Sequence, residues 1–421
     1  MNSNNLIHLS NISNVLTLDS ALKKDGRNLN SEDINIVKNT SIIASKDEIL
    51  YVGNDQNLIN NFKNKNILKV DLADYSVTPE LIDSHTHLIF GGNRCDEYVM
   101  RLNGADYEEI AKANGGITHT SNATNNEPIH RLIESARERI EKIYSYGVGT
   151  IEIKSGYGLN LKKEIELSNA IHQLKLEFSP RINIVNTFMA AHAIPKNINS
   201  SDEYIEKICI PAMEQLASLK IIDYVDIFHE KNYFTEKNVR DLYHSAKKFN
   251  IPMRVHADEF HDNNGGSIAA ELNFHSADHL LSISKKGIED LSKTNTVATL
   301  LPGTGYFLGK KQAPARELLD SGCKVAIASD FNPGSCHLDN LLFIANLAAP
   351  NYKMNQAELW AAITLNAANS LGLKNQGAIV KGFKPRFSFF KTKNLNEVNY
   401  SWMTNFSQRV KEVDQFFYGK N

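Results

Sequence analysis

Two histidines that stand two residues apart are the first feature of this sequence able to do chemistry. His85 and His87 follow an apolar run in the stretch PELIDSHTHL at 79–88. Side chains at i and i+2 of a strand point to the same face, so these imidazoles could bind one metal ion. A His-x-His pair by itself is more often chance than a metal site. Further candidate ligands occur at His256, His279 and Asp330, which favours a site built from distant parts of the chain.

The elements that must position these residues are apolar runs of strand length, which alternate with longer helical patterns. Eight runs are predicted as strands, at 81–90, 149–155, 182–192, 224–230, 252–259, 275–280, 296–301 and 324–330. Repeated βα units predict a parallel sheet, and eight of them predict an α/β fold of the (β/α)8 TIM-barrel type. The active groups of such barrels gather at the carboxyl ends of the strands. The polar residues that close these runs are therefore expected on one rim.

The two ends of the chain predict a second, smaller unit. Short β-type runs dominate residues 6–74, and strand-like sequence returns at 377–380 and 386–390. We expect a composite, β-sandwich-like domain from residues 1–75 and 374–421, with the barrel over residues 76–373. The connection after the first barrel strand, residues 91–126, is unusually long. Loops of that size in compact domains are usually lids or binding loops.

Composition sets broad limits on function. The chain has 421 residues, of which 42% are hydrophobic and 22% charged, and these are ordinary values for a globular protein. A formal net charge of −2 gives no general attraction to nucleic acid or to an anionic membrane. The four cysteines form no Cys-x-x-Cys pair, and neither a signal peptide nor an apolar run of transmembrane length is recognisable. These features predict a cytoplasmic protein.

The candidate ligands indicate a kind of chemistry. Imidazole nitrogens and one carboxylate are ligands that suit zinc or iron(II). A metal ion with three or four protein ligands and one position left for water is typical of a catalytic site. Such an ion lowers the pKa of its water towards about 7, which makes a nucleophile available at neutral pH. The sequence therefore predicts a hydrolase.

Seven blocks of the sequence resemble the amidohydrolase superfamily and, within it, the imidazolonepropionase family. The blocks are DSHTHLIFGGNR at 83–94, IEIKSGYGL at 151–159, AAHAIP at 190–195, HADEF at 256–260, SADHL at 276–280, LLPGT at 300–304 and SDFNPGS at 329–335. They extend through the whole barrel. The His-x-His pair indicates only the superfamily, whereas the KSGYG and DFNPG blocks are specific to the family.

This resemblance implies an activity and a set of site residues. The reaction would be hydrolysis of the ring C–N bond of 4-imidazolone-5-propanoate, a small-molecule substrate, to N-formimidoyl-L-glutamate in histidine degradation. The metal ligands would be His85, His87, His256 and Asp330. The substrate contacts would be Arg94, Tyr157, His192, Glu259, Asn332, Gly334 and Ser335. Tyr107, on the long first connection, is a further candidate with packing as its alternative role.

Physical reasoning supports part of this assignment. A substrate with a propionate arm needs a cation, and Arg94 offers a planar, two-pronged donor. We expect His279 to act as general base towards the water, assisted by Asp330, and Glu259 to move a proton to the departing ring nitrogen. The distribution of protons among these three residues is left open at this stage.

The resemblance also bears on the number of ions. Many relatives hold two metals bridged by a carboxylated lysine on the fourth strand, but VDIFHE at 225–230 contains no lysine. We therefore predict one divalent ion, zinc or iron. His229 and Glu230 could contribute to a second site, with hydrogen bonding around the first site as the alternative. A homodimer is compatible with the sequence.

Two other functions fit the same fold. A purine or pyrimidine deaminase would use the same barrel and a mononuclear site, but it would not need Arg94 for a carboxylate arm. A non-catalytic metal-storing or ligand-binding barrel would be marked by loss of a ligand or of the acid–base groups. The sequence shows no such loss.

Overall fold

Two β-sheets organise the protein. The structure is a computed structural model, and it describes residues 6–54, 56–62, 66–105 and 115–419. The strands, in chain order, are β1 (Leu6–Leu16), β2 (Ile36–Ala44), β3 (Ile49–Gly53), β4 (Ile67–Asp71), β5 (Ser76–Pro79), β6 (Leu81–Asp83), β7 (Val148–Lys154), β8 (Asn183–Ala191), β9 (Tyr224–His229), β10 (Arg254–Ala257), β11 (Ser276–His279), β12 (Val297–Leu300), β13 (Val325–Ile327) and β14 (Phe387–Phe390).

Helices follow most barrel strands and also occur in the terminal segments. The α-helices of the described residues are Asp19–Lys23, Gln56–Asn60, Cys95–Leu102, Ile117–Asn126, Ile129–Ser145, Leu161–Phe178, Ser201–Tyr204, Ile210–Ser218, Glu236–Lys248, Gly265–Glu271, Lys285–Ser292, Pro302–Leu308, Ala315–Asp320, Leu341–Tyr352, Gln356–Ala362, Leu365–Ser370, Asn396–Tyr400 and Lys411–Tyr418. A 3₁₀ turn spans Ser31–Ile34, and a π-helical turn, Ile205–Cys209, joins two of the helices. Within the described ranges, no helix combines the length and the apolarity that crossing a membrane requires.

The larger sheet is the predicted barrel. Its eight strands, β6 to β13, lie in chain order, and each is parallel to the next. The residues that follow β6 and β13 close the barrel, because Thr86 and Phe331 form an isolated parallel bridge. The Asp330 N–H donates to the His85 carbonyl at 3.0 Å, and the His87 N–H donates to the Phe331 carbonyl at 2.9 Å. The closing seam thus carries three of the predicted metal ligands.

The smaller sheet joins the two ends of the chain, as predicted. Its order is β14-β5-β1-β2-β3, and β4 pairs with β1. Strand β14 is antiparallel to β5, so the carboxyl-terminal segment completes a sheet begun at the amino terminus. Strand β5 covers residues 76–79 and still belongs to this sheet, so the chain enters the barrel at Leu81 and not at residue 76. The division into two domains stays a prediction.

The connection at 91–126 is less irregular than the sequence suggested. Helices occupy Cys95–Leu102 and Ile117–Asn126, and the role of this connection as a lid or binding loop stays a prediction. The first helix has only eight residues, and helices this short owe their stability to tertiary contacts, which periodicity does not reveal. Tyr107 lies outside the described residues.

The barrel interior is polar as well as buried. Strand β7 alternates Thr150, Glu152 and Lys154 with isoleucines, and every one of its residues is buried. Residues of one parity on a strand share a face, so one face of β7 is lined by polar and charged groups. Arg254 on β10 is also fully buried. Charges so deep inside a protein must be paired, and their pairing is part of the site.

Candidate active site

Histidine and carboxylate side chains converge where the closing seam meets the neighbouring strand ends. His85 Nε2 lies 3.5 Å from Asp330 Oδ1, and His87 Nε2 lies 3.7 Å from the same oxygen. The Nε2 atoms of His87 and His256 are 3.3 Å apart. Two buried triads can be drawn from these groups, His85–His87–Asp330 and His85–His256–His279, each with its ligand atoms within 4.8 Å of one another. Five side chains thus surround one point, and His85 belongs to both triads.

Two buried carboxylates orient the histidines from beneath. His85 Nδ1 lies 2.7 Å from Asp278 Oδ2, and His256 Nδ1 lies 3.2 Å from Asp226 Oδ2. A carboxylate that accepts the Nδ1 proton leaves Nε2 of the same ring as the free electron-pair donor. Burial would raise the pKa of Asp226, but Lys154 and His256 outweigh burial and hold that pKa well below its ordinary value.

The charge state of the cluster fits a cation. Burial, Lys154 and the neighbouring histidines lower the pKa of His85 well below its ordinary value. Burial and nearby imidazoles do the same for His87 and His279. Burial raises the pKa of Asp330 to about 6, although the Thr304 hydroxyl donates to this carboxylate and opposes the shift. Neutral imidazoles are the metal-binding form, and a divalent ion would stabilise the ionised carboxylate.

An unpartnered atom supports the same conclusion. His85 Nε2 is buried, and it has no hydrogen-bond partner among the described residues. An imidazole nitrogen in that state is costly unless it binds something. The triads contain imidazole nitrogens and one carboxylate, a donor set that suits zinc or iron(II). The residues present therefore fit a divalent metal ion.

The backbone is constrained at two of these positions. Asp330 has φ of 51° and His279 has φ of 76°, values in the left-handed region that residues with a Cβ seldom adopt. Such conformations persist where the surrounding structure enforces them, and they cluster at functional sites. Here they turn the side chains at two strand ends towards the cluster.

A pocket opens above the cluster. It is lined by His87, Arg94, Ile117, Tyr157, His192, Phe228, His256, Glu259, His279, Asp330, Asn332 and Ser335. Most of these groups are polar, whereas Ile117 and Phe228 form an apolar part of the wall. The arrangement suits a small polar molecule that is held over a metal ion.

The KSGYG block forms a tight loop under one wall of the pocket. Gly156 has φ of 115°, and a Cβ there would lie 2.7 Å from the Met189 carbonyl oxygen, so glycine is required. The buried Glu164 carboxylate accepts backbone N–H groups of Gly156 at 3.0 Å and of Gly158 at 2.6 Å. These bonds place Tyr157 between them, against the His87 and His192 rings.

His192 has a defined tautomer. Its Nδ1 donates to the Gly156 carbonyl at 3.1 Å, which leaves Nε2 as the acceptor. Its ring stacks on His87 with the ring centres 4.8 Å apart. Burial and the neighbouring His256 lower the pKa of His192 to about 3, so the ring is neutral.

The DFNPGS block forms a turn that Asn332 holds together. Asn332 Oδ1 accepts the backbone N–H groups of Gly334 at 2.8 Å and of Ser335 at 2.7 Å, and its Nδ2 donates to the Asp330 carbonyl at 2.7 Å. The Asn332 side chain therefore couples Asp330 to the pocket wall at Ser335. Gly334 itself packs against the Arg94 guanidinium.

Glu259 faces the pocket beside His279. Burial, together with the negative charges of Asp330 and Glu230, raises the pKa of Glu259 well above its ordinary value. His279 Nε2 lies 3.7 Å from Glu259 Oε2. A raised pKa makes Glu259 easier to protonate, and a protonated carboxyl group can act as an acid.

His229 and Glu230 do not face the cluster. The His229 ring nitrogens lie 2.8 Å and 3.0 Å from the carbonyl oxygens of Phe234 and Asn263. The Glu230 carboxylate accepts the Phe260 N–H at 2.8 Å and lies 3.0 Å from His261 Nδ1. Both residues hold the loop that carries Glu259. These contacts agree with hydrogen bonding around the first site, which was the alternative to a second metal site for His229 and Glu230.

The structure brings most of the predicted site residues together. Except for Tyr107 and Gly334, each either lines the pocket or, as His85 does, lies directly beneath it. The prediction missed the supporting groups Glu152, Lys154, Glu164, Asp226, Arg254 and Asp278. For the five of these residues that lie on strands, the sequence signal is a charged residue inside an otherwise apolar run, as in IEIK at 151–154 and VDIF at 225–228. Glu164 lies on the helix Leu161–Phe178 and has no such signal.

Comparisons with known proteins agree with this geometry. Residues 76–414 match the family model described as the Amidohydrolase family, a span that includes the barrel and every described site residue. The barrel is thus that of a metal-dependent hydrolase of the amidohydrolase class. An imidazolonepropionase of Bdellovibrio bacteriovorus is 34% identical over 402 residues, which cover 95% of this chain and 92% of the relative. One of Bacillus velezensis is 35% identical over 405 residues, with coverage of 96% and 94%. The chain belongs to the imidazolonepropionase family of amidohydrolases.

Solved structures of more distant proteins share the fold. An adenosine deaminase of Xanthomonas campestris with bound zinc superimposes with a TM-score of 0.64 at 13% identity, over 98% of this chain and 88% of that one. At this identity the likeness concerns the fold alone.

Proposed function

We propose that this protein hydrolyses 4-imidazolone-5-propanoate to N-formimidoyl-L-glutamate with one bound divalent ion, zinc or iron. The observation that carries the proposal is a pocket with a metal-ligand cluster at its base and the arginine Arg94 at its side. Membership of the imidazolonepropionase family supports the same substrate. Within the described residues, both candidate ligand triads contain His85, which favours a single ion.

Arg94 is the group suited to the carboxylate arm of the substrate. Its side chain is 13% exposed, so an anion bound there is largely shielded from water. A charge-assisted hydrogen bond to a guanidinium is about twice as strong as a neutral one. With the arm at Arg94, the ring would lie over the cluster, between Tyr157 and His192 on one side and Glu259 and His279 on the other.

The same residues can move the protons of the reaction. When bound, the metal ion would lower the pKa of its water molecule, so that the water can lose a proton at neutral pH and attack a carbonyl carbon. His279 is neutral, and its buried Nδ1 has no partner within the described part of the chain, so the ring is free to take a proton. Glu259, 3.7 Å from His279 and with its pKa raised by burial, is the group suited to give a proton to the ring nitrogen as the C–N bond breaks.

Purified protein incubated with 4-imidazolone-5-propanoate tests the proposal. We expect N-formimidoyl-L-glutamate to form, its formation to stop with a chelator, and zinc or iron to restore it. Aminated purines and pyrimidines serve as the comparison, because a deaminase would release ammonia from them. Metal-replete protein that leaves imidazolonepropanoate intact would contradict the proposal.

A further inference from the structure

Arg94 is held by a residue that the reaction itself does not use. Arg94 Nε donates to Glu97 Oε2 at 2.8 Å, and Arg94 Nη2 donates to Glu97 Oε1. Glu97 is buried, with 7% of its surface exposed. A carboxylate that grips the Nε–Nη2 edge removes most of the rotational freedom of the guanidinium. Arg94 also lines the pocket, so its guanidinium can meet an anion that is bound there.

The same carboxylate binds two further donors. Arg101 Nη2 donates to Glu97 Oε1 at 3.0 Å, and the Gly116 N–H donates to Oε2 at 2.7 Å. Gly116 directly precedes the helix Ile117–Asn126, whose first residue lines the pocket. Glu97 therefore joins Arg94 and the Ile117 wall into one unit.

Gly334 confines Arg94 from the other side. A Cβ at Gly334 would lie 1.6 Å from Arg94 Nη1 and 2.4 Å from its Cζ. The guanidinium thus occupies the space that a side chain at position 334 would fill. The Arg94 guanidinium therefore lies between the Glu97 carboxylate and the Gly334 backbone, which fix the position of its charge in the pocket wall.

We propose that Glu97 is a positioning residue that aims Arg94 at the carboxylate arm of the substrate and so determines the preference for substrates with such an arm. This inference rests on the proposed function, in which Arg94 binds that carboxylate. Glu97 acts through Arg94 and does not touch the reacting ring. Its effect is therefore expected in substrate binding and not in the chemical step.

The first test replaces Glu97→Gln, which keeps the size of the side chain and removes its charge. We expect KM for 4-imidazolone-5-propanoate to rise about tenfold, the typical effect of a lost charge-assisted hydrogen bond, with kcat within about threefold of the unchanged protein. An unchanged or lowered KM in a folded Glu97→Gln protein would overturn the inference.

Glu358 provides a matched control. It is also buried, with 4% of its surface exposed, and it accepts Arg316 Nη1 at 3.1 Å, Arg316 Nη2 at 2.9 Å and the Asn355 N–H at 2.8 Å. It does not line the pocket. Glu358→Gln should lower thermal stability about as much as Glu97→Gln and leave KM unchanged. If both variants raised KM alike, general loosening of the fold would explain the effect and the inference would fail.

A binding experiment separates this inference from the proposed reaction. Calorimetry with imidazole-4-propanoate and with its uncharged propanamide needs no turnover. We expect Glu97→Gln to weaken propanoate binding about tenfold and to change propanamide binding less than twofold. Equal weakening of both ligands would overturn the role of Glu97. Absence of hydrolysis by the unchanged protein, with this binding pattern intact, would contradict the reaction alone.

A double-variant cycle tests whether Glu97 acts through Arg94. In an Arg94→Gln background, the additional Glu97→Gln change should leave KM unaltered, because the group that it positions is already gone. The full tenfold effect in that background would show that Glu97 works independently of Arg94, and it would overturn the inference.

Discussion

The rim of the barrel and the layer directly beneath it are both polar and buried, yet their charges are balanced in different ways. The rim consists of His85, His87, His256, His279 and Asp330. The charged layer consists of Glu152, Lys154, Asp226, Arg254 and Asp278. In the charged layer, Lys154 Nζ lies 2.7 Å from Glu152 and 2.8 Å from Asp226, and Arg254 Nη2 lies 3.0 Å from Asp278. The cations of this layer come from the chain itself.

The rim lacks such a cation. The pKa of His85 is lowered by burial and by Lys154, so the ring remains neutral, and no described residue bonds its Nε2. Two carboxylates of the charged layer link the two regions. Asp278 pairs with Arg254 and also with His85 of the rim. Asp226 pairs with Lys154 and also with His256 of the rim. The lower layer completes its own charge balance, whereas the rim presents neutral imidazole nitrogens and one carboxylate, donors that suit a metal ion.

Removing the carboxylate of the rim should have the largest effect. Asp330→Asn takes away the only carboxylate of the two ligand triads. The charge stabilisation that a metal ion supplies is worth several kcal/mol, so we expect kcat/KM to fall by about a thousandfold or more. Metal content by mass spectrometry and turnover under metal-replete buffer are the measurements. Full metal content with normal turnover would show that the rim does not depend on this carboxylate.

Removing the lysine of the charged layer should affect folding more than chemistry. Lys154→Met leaves Glu152 and Asp226 buried without their common cation, and breaking a buried pair in this way typically costs about 3–5 kcal/mol of unfolding free energy. Denaturant unfolding is the measurement.

Lys175 is the control for this prediction. Its Nζ lies 2.7 Å and 2.6 Å from the two carboxylate oxygens of Asp223, but the two side chains are 31% and 35% exposed. Lys175→Met should therefore cost less than about 1 kcal/mol. Equal losses of unfolding free energy in the two variants would mean that burial does not increase the contribution of these ion pairs to stability.

Weakening the link between the regions should have the smallest effect. Asp278→Asn keeps the shape of the side chain that meets His85 Nδ1 at 2.7 Å, but it removes the charge. Replacing such an outer carboxylate typically weakens metal binding about 10- to 100-fold, and competition with a chromophoric chelator measures this change.

Asp258 offers a comparison for that variant. It is buried, and it accepts backbone N–H groups of Asn263, Gly265 and Gly266 at 2.9 Å without contacting a rim histidine. Asp258→Asn should lower stability and leave metal affinity unchanged. If Asp258→Asn lost as much metal affinity as Asp278→Asn, the contact between Asp278 and His85 would have no specific role in metal binding.

Much of the fold could be predicted because its strands follow local rules. Each predicted barrel run overlaps an observed strand; 224–230 contains β9 at Tyr224–His229, for example. The first run extended to residue 90, but β6 ends at Asp83, since the segment with His85 and His87 joins the closing seam. The helix Cys95–Leu102 escaped prediction because contacts such as those of Glu97 stabilise it.

The sequence by itself determined which residue types stand at the strand ends, and together with the family resemblance it predicted a ligand set, acid–base groups and an arginine. Periodicity and short motifs carry this information because they are local along the chain. Only the tertiary structure decided how those groups are supported. Lys154 meets Asp226, and Glu97 meets Gly116, because separate elements fold together. A buried charge in a strand predicts that a partner exists, but three-dimensional packing alone determines which residue it is.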